Sequence, residues 1–351
     1  MPNKRQLAVV AASILSITGL AACGSTSGTT SGTQAAATKS GGGTVVIGYE
    51  NNGAVDPTQA AQSLGYWQKD IKAHIKMVYF SSGPAALTAL GSGAVDIMTG
   101  IGNPPVASAL ANHVPLAVVW CDEDSQTDQA LVVRKSANIT SVKQLKGKTV
   151  GTVVGSTSSY ALTGVLRKAG LSTKDVNVLN LTPPAIATAW KTHRINAAYI
   201  WYPVLGQLLS GGGVELATDA NVMQSYPINN LSVVNKNWAA SHKQLVAEFI
   251  RAQSAGVQAF RDNLVSTLKA ELKATGETLT EAKLEAKTTK TFTVSQQLGP
   301  DALGTSNSNS LVAKSLITAS QYLHSLDPSV PALKSTAGMI DRSFVRAAGA
   351  S

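Results

Sequence analysis

The 351-residue chain carries 29 Lys and Arg against 20 Asp and Glu, a formal net charge of +9, with 44% hydrophobic and only 5% aromatic residues. That length is enough for two lobes or domains with a sizeable core. The positive charge is spread along the chain, with Lys143, Lys146 and Lys148 its densest group. So few aromatics and no basic block exclude the charged stripe and stacking platform of a nucleic-acid binder.

The N-terminus reads as a targeting segment. MPNKRQ supplies Lys4 and Arg5, and LAVVAASILSITGLAA then runs apolar and small to Cys23. A charged start, a short apolar stretch and small residues before the cut define a secretory signal peptide over 1–22, too short to read as a transmembrane helix. Leu20-Ala21-Ala22-Cys23 resembles a bacterial lipobox. That resemblance implies lipidation of the Cys23 thiol and anchoring to a membrane without spanning it. The alternative is an ordinary secretory signal followed by a chance cysteine. The chain has two cysteines. With Cys23 acylated, Cys121 has no disulfide partner and reads as a small core residue. The Gly/Ser/Thr stretch that follows cannot bury enough apolar surface to fold, so 23–43 is lipid anchor plus tether, spanning roughly 25 Å as a random coil.

From Thr44 strands and helices alternate. TVVIGYE reads as a strand. PTQAAQSLGYW is a helix with Asp56 as N-cap and Pro57 in its first turn. IKMVYF, AVDIMTG, VPLAVVW and QALVVRK follow as strands, with helices at GPAALTALGSG and NPPVASALANH. KTVGTVV, VNVLNL and INAAYIW are three more strands, separated by helices at TSSYALTGVLRKAG and PPAIATAWK. The remainder turns helical. One long helix is expected over WAASHKQLVAEFIRAQSAGVQAFRDN, and others near 265–275, 280–288, 307–325 and 338–349. Strands alternating with short helices predict an α/β fold with mostly parallel sheets.

In such folds ligands bind beyond the carboxyl ends of strands, where loops and helix N-termini converge. Six junctions qualify: Tyr49–Gly53, Phe80–Pro84, Gly100–Pro105, Gly155–Ser159, Leu181–Pro184 and Ile200–Pro203. Most are small, hydroxylic or amide-bearing, and none contains Lys or Arg. An anion bound there is held by backbone N–H groups and neutral donors. GSTSSY, with four consecutive hydroxyl residues from Ser156, fits both an N-cap and an oxyanion cradle.

The stretches FSSGPAALTALGSGAVDIMTGIGNPPVASALANHVPLAVV, QALVVRKS and VLNLTPPAIATAWKTHRINAAYIWYPVLGQL resemble the periplasmic taurine-binding proteins of ABC importers, which group with alkanesulfonate and nitrate binders. The likeness runs from about Thr44 to Val345, through FTVSQQ and RSFVRA. It implies a type II periplasmic-binding-protein fold: two doubly wound α/β lobes joined by two crossings, with ligand between them. The crossings are expected near Val132–Lys135 and Pro227–Val234. Lobe 1 would then be 44–132 with a helical second part 235–351, and lobe 2 would be 133–234. The resemblance implies sulfonate donors at Ser82, Gly83, Asn103, Ser156, Thr157 and Ser158, with Trp201 as a wall. It also marks two departures. Gln129 and Asn230 stand where taurine binders carry acids that face the ammonium. Either Glu50, in the first junction, compensates, or the ligand lacks an amine. The acidic run Asp122-Glu123-Asp124, with Asp128 nearby, is expected as a solvated loop beside the cleft.

The same broad family includes a pyrimidine-forming enzyme that needs histidines and a lysine in the cleft. Here His74, His113, His193, His242 and His324 lie away from the six junctions, and no Cys/His cluster has metal spacing. The expectation is a non-enzymatic, monomeric, lipid-anchored protein without cofactor. It would bind a small sulfonate by hinge closure and serve an ABC permease and its ATPase at the cell surface or in the periplasm. Nitrate, a sulfate ester, or an aromatic or pyrimidine precursor on the same fold, and a sensor lipoprotein without a transport partner, are the alternatives.

Overall fold

The computed structural model describes residues 43–50, 56–124, 127–275, 278–287 and 289–350. The signal peptide, Cys23 and nearly all of the tether lie outside them, as do Asn51, Asn52 and Gly53 of the first junction. Among the described residues no helix is long and apolar enough to cross a membrane.

Ten strands form two sheets. They are β1 (Thr44–Glu50), β2 (His74–Phe80), β3 (Ile97–Gly102), β4 (Leu116–Glu123), β5 (Gln129–Arg134), β6 (Thr149–Thr152), β7 (Asn177–Asn180), β8 (Ala197–Trp201), β9 (Gly213–Thr218) and β10 (Asn230–Asn235). Helices α1 (Pro57–Ser63), α2 (Tyr66–Asp70), α3 (Gly83–Gly91) and α4 (Asn103–Ala111) link the first strands. Helices α5 (Thr157–Lys168), α6 (Pro183–Lys191) and α7 (Val204–Ser210) link the later ones. After β10 come α8 (Lys236–Ser241), α9 (Lys243–Asp262), α10 (Leu264–Thr275), α11 (Leu279–Ala286), α12 (Val294–Gln297), α13 (Leu311–Leu326) and α14 (Ser343–Gly349).

The first sheet has the order β2-β1-β3-β10-β4 and the second β7-β6-β8-β5-β9. In each, three parallel strands are followed by one antiparallel strand that arrives from the other lobe: β10 runs against β3 and β4, β5 against β8 and β9. This is the two-lobed, twice-crossed α/β arrangement that the strand pattern and the resemblance predict. The first crossing lies elsewhere, and the second falls at the start of its expected range. β5 belongs wholly to the second sheet, so the chain changes lobe between Glu123 and Gln129 and not at Val132–Lys135. β10 belongs to the first sheet, so the second crossing precedes Asn230. The expected boundary at 132/133 therefore cuts through β5. The cause is burial: β3, β4, β5, β8 and β10 are buried along their whole length. Such strands read as continuous apolar runs, with no alternation to say which sheet they join.

Two predicted helices break where the backbone dictates. Asp56 does cap α1, its Oδ1 accepting the N–H groups of Thr58 and Gln59. The helix nevertheless stops, and α2 restarts after Gly65, whose φ of +73° lies in the left-handed region. The long C-terminal helix breaks at His242 (φ −127°), which ends α8 and opens α9. α9 packs on α1 and α2, placing Phe249 against Trp67 with ring centroids 6.1 Å apart. Neither β9 nor β10 is among the predicted strands; β9 is the outer strand of the second sheet, with Val214 and Glu215 exposed, and β10 is the antiparallel strand of the first.

Candidate ligand site

Seven elements and the first crossing bring residues to one small cavity between the sheets. Glu50 ends β1, Gly83 opens α3, and Gly102 and Pro105 form the β3–α4 junction. Ser156 and Thr157 open α5, and Trp201 ends β8. Asp128 comes from the first crossing, and Asn230 opens β10. The volume is about 20 Å³, above the roughly 10–15 Å³ that one ordered water needs. As the lobes stand, it has room for little more than one water. Thr157 of one lobe packs its methyl directly on Gly102 of the other, so the lobes are closed.

The hydroxyl cluster divides its work. Ser156 is the N-cap: its Oγ accepts the N–H of Ser159 at 3.5 Å and donates to Val153 O at 2.6 Å. Ser159 donates to Ser156 O at 3.0 Å and accepts from Gly155 N–H at 3.0 Å and from the Tyr322 hydroxyl at 2.8 Å. These two serines shape the turn. Thr157 and Ser158 both donate to Gln129 Oε1, at 3.3 and 2.5 Å. What α5 offers a ligand is therefore chiefly its first-turn backbone N–H groups and partial positive charge.

The junctions of lobe 1 are poorer in donors than their sequences imply. α4 begins Asn103-Pro104-Pro105, and prolines have no N–H. Asn103 is wholly buried. It donates to Pro227 O and Ser315 O at 3.0 and 3.3 Å and accepts from Asn229 N–H at 3.3 Å, tying the second crossing to α13. Ser82 occupies the cap position of α3 without making a cap bond, and it does not line the cavity. Glu50 lies against the mouth of α3, its Oε2 3.5 Å from where a Cβ on Gly83 would stand. Of the residues singled out in the sequence, Glu50, Gly83, Ser156, Thr157, Trp201 and Asn230 line the cavity. Gln129 and Ser158 sit directly behind Thr157, and Ser82 and Asn103 lie outside.

The acidic run is not a solvated loop. Asp122 and Glu123 complete β4, each 1% exposed, and Asp124 follows them, also buried. Asp122 accepts from the Ser232 hydroxyl at 2.6 Å and from Gly100 N–H at 3.0 Å. Glu123 accepts from Asn230 Nδ2 at 2.7 Å. Asp219, which nothing in the sequence marked, accepts from Gln129 Nε2 at 2.5 Å and the Tyr199 hydroxyl at 2.7 Å. Burial pushes Glu50 up to about 8. It pushes Asp56 to about 7 against the pull of its cap bonds, and Asp122 to about 6. Burial, reinforced by neighbouring carboxylates, holds Glu123 and Asp219 well above the ordinary carboxylate range. Carboxylates thus crowd a cavity with no Lys, Arg or His among the described residues of its wall. The electrostatics favour a ligand that brings positive charge, while the α5 terminus favours an oxyanion.

Residues 53–263 match the protein family described as NMT1/THI5 like. The chain belongs to this family. The taurine-binding periplasmic protein of Escherichia coli (strain K12) is 30% identical over 208 residues, 59% of this chain and 63% of that protein. The chain thus spans less than two thirds of that relative's length. Among solved structures, the alkanesulfonate-binding protein SsuA from Xanthomonas axonopodis pv. citri bound to MOPS superposes with a TM-score of 0.70 at 20% identity, covering 85% of this chain and 98% of that one. The desulfurization enzyme DSZB superposes at 0.63 with 14% identity, covering 87% and 99%. The periplasmic-binding-protein fold of NMT1/THI5-like chains is therefore shared by binding proteins and by an enzyme, and the chemistry must be read from the site.

Proposed function

We infer that this chain is a solute-binding protein that closes on a small sulfonate bearing an amine, taurine or a near relative, and delivers it to the permease and ATPase of an ABC importer. The carrying observation is the mixed charge of one small cavity: the carboxylates of Glu50 and Asp128 beside the first turn of α5. The α5 amides receive the sulfonate oxygens, with the Thr157 and Ser158 hydroxyls held to Gln129 behind them. Glu50 and Asp128 receive the ammonium and supply the charge that Gln129 and Asn230 lack. The Trp201 indole packs the alkyl link. A ligand that carries an amine gives the Glu50 carboxyl, held at about 8 by burial, a charge to ionise against; a ligand without one does not. The E. coli relative named for taurine supports the same ligand class.

Nothing in this reading transforms the ligand, so the chain is a carrier and not an enzyme. Ligand bridging both lobes favours the closed state, which a permease can distinguish from the open one. The signal segment and lipobox-like tetrapeptide of the sequence support a protein exported across the cytoplasmic membrane, a monomer anchored through lipidated Cys23. Calorimetric titration with taurine should give a saturable one-to-one isotherm, weakened about tenfold or more by Glu50→Gln through loss of a charge-assisted contact. No heat at millimolar taurine contradicts the reading.

A further inference from the structure

Gln129 and Asn230 stand where the resemblance places acids, and an acid holds each from behind. Asn230 opens β10 opposite Glu123 of β4 in the strand register. Its Nδ2 donates to Glu123 Oε1 at 2.7 Å. Glu123 is 1% exposed, and its other oxygen, Oε2, is buried with no hydrogen-bond partner. A primary amide has a donor end and an acceptor end. With Nδ2 bound to a carboxylate oxygen, a flip would set the Asn230 carbonyl against that oxygen, two acceptors face to face. The clamp leaves Oδ1 for the cavity that Asn230 lines. At Gln129 the arrangement repeats with a different result. Asp219 takes Nε2, but Oε1 already accepts from Thr157 and Ser158. Of the two amides, only Asn230 keeps an acceptor for a ligand.

We propose that Glu123 is a specificity-determining positioning residue: by fixing the amide of Asn230 it presents an acceptor and never a donor, and so selects ligands carrying N–H groups over amine-free analogues. The proposal rests on the cavity being a sulfonate site. Burial, reinforced by neighbouring carboxylates, holds Glu123 well above the ordinary carboxylate range. A proton on the unpartnered Oε2 leaves Oε1 accepting, so the clamp persists in either protonation state.

The test titrates taurine and ethanesulfonate side by side into wild type, Glu123→Met, Glu123→Asp, Asn230→Ala and the double variant Glu123→Met/Asn230→Ala, recording Tm for each. Glu123→Met, which removes the accepting oxygen, should cut the preference for taurine over ethanesulfonate about tenfold, the scale of one hydrogen bond to a charged group. Asn230→Ala should do as much, and the double variant no more than either. Glu123→Asp should recover part of the preference. Equal losses for both ligands, or additive losses in the double variant, overturn the proposal and leave Glu123 a structural residue. A readout without ligand accompanies this. The Asn230 side-chain amide protons, assigned by their loss in Asn230→Ala, should exchange slowly in wild type and rapidly in Glu123→Met; rapid exchange in both also overturns it. Wild type that binds neither sulfonate sinks the sulfonate reading and the selectivity with it, an outcome distinct from a preference unchanged in the variants.

Discussion

Gly102→Ala tests whether the contact between the lobes belongs to the ligand-bound state. A Cβ at Gly102 would stand under 3.0 Å from Thr157 Cγ2, a separation real Cβ atoms essentially never show, whereas ordinary contact begins at 3.4 Å. Thr157 cannot simply turn away: its χ1 is stiff, and rotation would remove the 3.3 Å bond from its hydroxyl to Gln129. The backbone is not the obstacle, because Gly102 has a φ of −59°. The methyl therefore opposes closure while leaving each lobe intact. Overpacking of this kind costs about 1–3 kcal/mol, and falling on the closed state alone it weakens ligand binding roughly 5- to 150-fold. Thr157→Ser removes Cγ2, and the nearest remaining atoms, Oγ and Cβ, then lie at 3.5 and 3.6 Å. The double variant should regain most of the affinity. Gly83→Ala is the contrast: its Cβ would meet Pro105 Cγ at 2.7 Å within the same lobe, so it should lower the Tm of the unliganded protein, which Gly102→Ala should not. Titration calorimetry and small-angle scattering with and without ligand decide it. Gly102→Ala protein that compacts on ligand addition with wild-type affinity refutes the reasoning.

Glu50, ordinarily near 4.5 and pushed to about 8, is largely protonated in the empty cavity at pH 7 and must release its proton to meet an ammonium. Taurine affinity should rise with pH by up to about tenfold per unit until it levels near 8; in Glu50→Gln the profile should be flatter. The same shifts set the stability of the empty protein. Glu50 and Asp56, with Asp122 and Asp124 at about 6, bind protons more strongly folded than unfolded. Their contribution is fully present below about pH 4 and is lost as pH rises through 6 to 8. Tm without ligand should fall between pH 5 and 8, and a Tm that rises over that range contradicts the carboxylate picture. Ser156→Ala removes an N-cap and should lower stability by about 1 kcal/mol; denaturant melts and titrations together should show the stability loss with affinity changed less than threefold.

The order of strands and helices was legible because turns punctuate it and caps such as Asp56 announce the helices. The importance of the 155–159 junction was legible too, yet its hydroxyls are mostly consumed in building the turn, a division that only the partners Val153, Tyr322 and Gln129 reveal. The first crossing and the strand β10 were hidden because β5 and β10 are buried throughout and carry no periodicity to assign them to a sheet. Asp122 and Glu123 read as a surface run because adjacent carboxylates are normally solvated. Their burial follows from lying at the end of a central strand, beside Asn230 and Ser232. Asp219 lies far from Gln129 in sequence and follows β9, a strand that carried no signal of its own.

Whether one cavity receives both an oxyanion and an ammonium is decided by titrating the wild-type protein with taurine and with ethanesulfonate at pH 7 and 8, in buffers of different ionisation heat. Taurine should bind more tightly, with protons released to the buffer at pH 7 as Glu50, held at about 8 in the empty cavity, ionises. Equal or tighter binding of ethanesulfonate, with no proton release, would mean that the cavity holds no ammonium.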